Sequence, residues 1–220
     1  MDYEPMNQSY GAGAYGQQTL GSYVAKTYLW MFAGLMLTFG IAMGGYATGA
    51  VFYVFEIPYM LFILTGLELL TVIVMSARAN KISVGAARGM FLFYSALNGV
   101  VFSAYFMIFG VVGMVLVFAA TSVFFGVMAA VSMIFKLDIS GIRPVLIGGL
   151  FLLIIFGLVS MFMDLSGLET AFCYLGIVVF LGFTAYDTSK IRENYMTFSG
   201  NPELLEKAAV FSALELYLDF

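Results

Sequence analysis

Gly89 to Phe135, GMFLFYSALNGVVFSAYFMIFGVVGMVLVFAATSVFFGVMAAVSMIF, contains no Asp, Glu, Lys or Arg. A helix crossing the hydrocarbon core of a bilayer needs about 20 apolar residues. The stretch is therefore long enough for two spans, Gly89 to Phe109 and Val111 to Phe135. Outward from it lie further apolar runs, Tyr28 to Ala47 and Pro58 to Met75 before it, and Val145 to Met163, Thr170 to Tyr186 and Ala208 to Phe220 after it. The whole chain is 62% hydrophobic and 10% charged, with a mean hydropathy of +1.00. A soluble domain of 220 residues needs no such excess to build one core. The expected fold is an all-α integral membrane protein, a bundle of seven transmembrane helices.

Two domain assignments follow. Residues 1–24 are polar and rich in Gly, Gln and Tyr, with Asp2 and Glu4 where a secretory signal would be basic, and read as a disordered cytoplasmic tail. Residues 25–220 form the membrane domain. Gly11, Gly13 and Gly16 spell G-x-G-x-x-G, but neither strand nor βαβ helix flanks them, so the match is accidental. The seventh run has only 13 residues, Ala208 to Phe220, and no closing interfacial anchor. The natural protein is expected to continue past Phe220, with helix 7 truncated here.

The nine basic residues are Lys26, Arg78, Lys81, Arg88, Lys136, Arg143, Lys190, Arg192 and Lys207. All precede helix 1 or fall in the connections after helices 2, 4 and 6. The other connections carry only the acids Glu56, Asp164 and Glu169, or no charge. By the positive-inside rule the N-terminus and those three connections are cytoplasmic. No basic cluster suits nucleic acid. There is no histidine, and the single Cys173 lies in an apolar run, where packing is its expected role. These absences leave no thiol or histidine chemistry, no zinc site and no expected cofactor. Gly40-x-x-x-Gly44 and Gly45-x-x-x-Gly49 on helix 1 permit close helix approach, although glycine is common in membrane helices generally.

Five polar residues lie at membrane depth: Glu68, Asn98, Asp187, Glu215 and Asp219. A carboxylate there is expensive without a partner or a function. If Ser199 to Glu203 turns a helical hairpin, residue 203 lies midway between 187 and 219. The two aspartates then sit at equal depth on adjacent antiparallel helices, and cannot both ionise freely. They become a proton-dependent switch or an acid/base dyad. The same reflection puts Glu215 beside Lys190 and Arg192, where a salt bridge is its simplest role. Lys190 would make Asp187 an ordinary helix-end carboxylate, but Asp219 lies 12 residues beyond Lys207, about 18 Å along a helix. A charged rim facing a cytoplasmic cavity reconciles the two. Glu68 should face the bundle interior, where fixing helix packing competes with a pathway role.

Thr184 to Ile191 (TAYDTSKI) and Ala213 to Phe220 (ALELYLDF) together resemble the signature of the Bax inhibitor-1 family, in its bacterial form. Leu67-Glu68, Tyr94 to Gly99 (YSALNG), and Lys136 to Ser140 (KLDIS) before Gly148-Gly149 extend the resemblance over most of the chain. It implies a central helix 7 wrapped by the other six, in a pH-sensitive calcium leak channel of the bacterial inner membrane. It implies that Asp187 and Asp219 form the pH-sensing dyad on the ion pathway, with transient calcium their only metal. It offers Arg78, near the end of helix 2, as a latch on the dyad. Glu215 replaces the small polar residue usual in that motif.

Two other functions compete. Intramembrane aspartyl proteases also pair aspartates on neighbouring helices, but carry G-x-G-D where this chain has Leu216-Tyr217-Leu218-Asp219, and a Pro-Ala-Leu segment that it lacks. No enzymatic activity is expected. A non-conducting regulator or stress-response protein that binds other membrane proteins, its acids purely structural, is the alternative. Lipid, calcium and protons are the expected partners, with membrane proteins as further candidates.

Overall fold

The computed structural model describes residues 19–79, 81–134 and 140–220, and among them finds helices and no strands. The helices are α1 (Leu20–Ala47), the short α2 (Ala50–Phe55), α3 (Met60–Ala77), α4 (Val84–Ile134), α5 (Arg143–Ser160), α6 (Ser166–Phe198) and α7 (Pro202–Leu218). Five of them are long and apolar enough to cross a membrane: α1, α3, α4, α5 and α6. The outward-facing side chains include Ile73, Val112, Phe151 and Phe162, the inverse of a soluble surface. The chain is an all-α membrane bundle.

α4 is two helices in one continuous run. Gly110 breaks it, at φ 72° and ψ 163°, a conformation open to glycine and closed to side chains with a Cβ. Phe102 and Phe118 would lie about 24 Å apart along a straight helix, yet their ring centroids are 5.6 Å apart. The chain therefore doubles back at Gly110, giving the two spans expected on either side of it.

α1 begins earlier than expected. Thr19 caps it, its hydroxyl accepting from the Ser22 N–H at 3.3 Å, and the helix runs from Leu20. The boundary expected after residue 24 thus moves to Thr19, because a capping residue in the polar stretch starts the helix a turn before its apolar run. The tail up to residue 18, Lys136 and the rest of residues 135–139 lie outside the described residues.

α7 is the buried helix. Leu205, Ala209, Val210, Ala213, Leu214, Leu216 and Tyr217 are almost wholly enclosed and pack with Tyr23, Met31 and Leu35 of α1 and Phe91 and Tyr94 of α4. Helix 7 is not wrapped by all the others. It packs directly on α1, α4 and α6, while α3 rests on α4 and α5 on α6. Nor is it confined to residues 208–220. Asn201 caps it, its side chain accepting from the N–H groups of Glu203 (3.1 Å) and Leu204 (3.2 Å), and Pro202 occupies the first turn.

A second core cluster, Ala42, Phe106, Met114 and Phe118, lies where α4 turns, and Phe220 packs on it. α1 and α4 approach most closely at Gly99, where an added Cβ would meet the Ile41 Cβ at 2.7 Å. Gly40 and Gly44 have open space around them. Cys173 also corrects its expectation: it is exposed on the outer face of α6 and packs in no core.

Candidate functional site

The hairpin between α6 and α7 sets the register of the site. Asn194 Nδ2 donates to Ser212 Oγ at 3.0 Å, and Lys190 forms an ion pair with Glu215. Residues 194 and 212 are symmetric about 203, the centre anticipated from the aspartates alone. The same register carries Asp187 on α6 up to Asp219, which caps the C-terminal end of α7. The two carboxyls lie within electrostatic reach of one another, with Glu215 close to both.

Asp187 is buried, 9% exposed, and its nearest cations are Lys190 and Arg143. The Asp219 Oδ2 is shielded from solvent and has no hydrogen-bond partner. Thr184, one turn before Asp187, brings its hydroxyl within hydrogen-bond reach of the Asp219 carboxyl. That hydroxyl donates its proton to the Phe180 carbonyl at 3.0 Å. Its oxygen is left as an acceptor, which a protonated carboxyl satisfies and an ionised one does not.

Glu215 takes the role expected of it, as the partner of Lys190. Glu68 stands apart from the dyad: it is half-buried on α3, with Oε1 solvent-shielded and unpartnered, within electrostatic reach of Tyr94 and Tyr217. Asn98 donates along its own helix to the Tyr94 carbonyl at 3.2 Å. Arg78 does not meet the latch expectation. Its side chain is exposed at the end of α3, and no ion pair joins it to either aspartate. The cation near Asp187 that the sequence did not single out is Arg143, at the start of α5. Its separation in sequence from both motifs concealed it.

A second ionic group ties helix ends together. Glu206, ahead of the apolar run of α7, pairs with both Lys26 of α1 and Arg88 of α4. Arg88 also lies over the Trp30 ring, 5.3 Å from its centroid. This group places the start of α1, the start of α4 and the start of α7 at one end of the bundle. Deeper in, the Tyr217 hydroxyl meets Thr38 Oγ1 at 2.5 Å, and Thr38 also reaches the carbonyls of Gly34 (3.0 Å) and Ser95 (2.9 Å).

Among the described residues, no group of three or more His, Cys, Asp or Glu side chains is placed to hold a metal ion. Two acids facing each other suit transient attraction of a hard cation better than a closed coordination cage.

The family model described as "Inhibitor of apoptosis-promoting Bax1" matches residues 20–220. The chain belongs to the Bax inhibitor-1 family. It is 33% identical to the inner membrane protein YbhL of Escherichia coli K12 over 222 residues, all of this chain and 94% of that protein. Uncharacterized proteins of Deinococcus radiodurans (33% identical, 90% of this chain and 85% of the relative) and Borreliella burgdorferi (35%, 90% and 86%) are similarly related. No solved structure matches.

Proposed function

We propose that this family member is a pH-sensitive calcium leak channel of the inner membrane, gated by protonation of the Asp187/Asp219 dyad. The observation that carries the proposal is the meeting of two carboxyls from α6 and α7, within electrostatic reach of each other in an otherwise apolar bundle. A shared proton lets such a pair sit together. Removing it leaves two like charges at low dielectric, which must separate or attract a cation. Separation moves α6 against α7, and α7 is packed at the centre of the bundle. Calcium fits as the permeating ion because hard oxygen donors attract it and protons compete for the same oxygens. The role is transport, without covalent chemistry.

The name of the related Escherichia coli protein supports an inner-membrane location, and the distribution of basic residues supports a cytoplasmic N-terminus. The end bearing Lys26, Arg88 and Glu206 is then the cytoplasmic one.

The test is calcium entry into dye-loaded liposomes containing the purified protein alone, between about pH 5 and 8. The proposal predicts entry above that of protein-free liposomes, changing with pH. Absence of entry at every pH contradicts it and favours a non-conducting regulator of other membrane proteins.

A further inference from the structure

A cleft of about 570 Å³ opens between the second half of α4 and α6, with Asp219 and Thr184 at its polar end. Its size falls within the roughly 300–1,000 Å³ typical of small-molecule sites. Its walls include the rings of Phe124, Phe125, Phe180 and Phe220. Among the described lining residues, Asp219 is the one ionisable side chain. The geometry assigns this cleft as a binding site for a lipophilic amine, its ammonium on Asp219 and its apolar body between the aromatic rings.

Three observations converge on that ligand class. The polar end offers acceptors: the Asp219 carboxyl has an oxygen without a hydrogen-bond partner, and the Thr184 hydroxyl already donates to the Phe180 carbonyl at 3.0 Å. A ligand must therefore bring N–H or O–H donors, and an ammonium brings three. The carboxyl selects positive charge and disfavours fatty acids and other anionic amphiphiles. The aromatic rings add the attraction of a π-face for a cation and cover for a hydrocarbon or aromatic body. A neutral lipid tail would fill the same volume and leave the acceptors unmatched.

The site does not depend on calcium conduction, and binding is read directly, so the two proposals fail separately. The probe is dansylcadaverine, a primary amine on an environment-sensitive fluorophore, titrated into the full chain in lipid nanodiscs and compared with its uncharged N-acetyl derivative. Saturable blue-shifted emission is expected for the amine, with the N-acetyl compound about tenfold weaker, the scale of one charge-assisted hydrogen bond. Asp219→Asn should weaken the amine by a similar factor and leave the N-acetyl compound unchanged. Ala120→Trp, which narrows the cleft from α4, should weaken both. Equal binding of the two probes to the wild-type protein overturns the assignment without any variant, as does amine binding indifferent to Ala120→Trp.

Discussion

Lys190 of α6 is ion-paired with Glu215 of α7, and this contact sets the register that brings Asp187 up to Asp219. Both partners are about one-third exposed, so the pair specifies geometry more than it contributes stability; exposed pairs are worth about 0–1 kcal/mol. Replacing either residue by Ala should lower thermal stability slightly. The exchanged pair, Lys190→Glu with Glu215→Lys, should recover most of that loss, read by thermal unfolding of the detergent-solubilised protein. Greater destabilisation by the exchange than by either Ala variant would contradict this account.

The group of Glu206, Lys26 and Arg88 should make the bundle acid-sensitive. The hydrogen bond from the Lys26 ammonium, followed by the charges of Lys26 and Arg88, holds the Glu206 carboxyl below the usual carboxylate range. A lowered folded-state pKa contributes stability that is present above the ordinary carboxylate value, about 4.3, and lost as pH falls through the folded value. Glu206→Gln should therefore be less stable than wild type at neutral pH, with the difference shrinking in acid. A difference constant from neutral to acid pH would rule out the pair as its source.

The crossing of α1 and α4 discriminates between glycines that look alike in sequence. A Cβ on Gly99 would meet the Ile41 Cβ at 2.7 Å and the Thr38 carbonyl at 3.0 Å, neither of which is the end of a flexible chain. Gly99→Ala should cost about 1–3 kcal/mol by overpacking. Gly40→Ala, with nothing within 4 Å, should be close to neutral. Comparison of their unfolding midpoints checks both.

Tyr217 anchors the centre of α7. Thr38 has one hydroxyl proton and two nearby carbonyls, so the short contact to Tyr217 is best satisfied by the tyrosine hydroxyl donating to Thr38 Oγ1. Tyr217→Phe removes that donor and should cost about 1 kcal/mol. Thr38→Val should cost a similar amount, and the double variant less than the two added together. Additive losses would show that the residues act independently.

Most of the architecture was legible because it follows from chain-local chemistry. The uncharged run from Gly89 to Phe135 required two spans, and Gly110 supplied the reversal between them. The hairpin centre near residue 203 was readable because the register of two antiparallel helices is fixed by one reflection. The salt bridge of Glu215 followed from the same reflection. Contacts between distant segments were not legible. Arg143 approaches Asp187 through the docking of α5 on α6, which neither segment's composition specifies. Arg78 was the nearest basic residue to the end of its helix, but its exposed position turns it away from the pair. The start of α1 was missed because the Thr19 cap extends the helix into a stretch too polar to register as a span.

The central claim is that Asp187 and Asp219 act as one proton-dependent unit. Its most direct test is the pH profile of calcium entry into liposomes for wild type, Asp187→Asn, Asp219→Asn and the double variant. The account predicts that either single substitution flattens the profile and that the double variant adds nothing further. A double variant that keeps the wild-type pH dependence, or single effects that simply add, would contradict it.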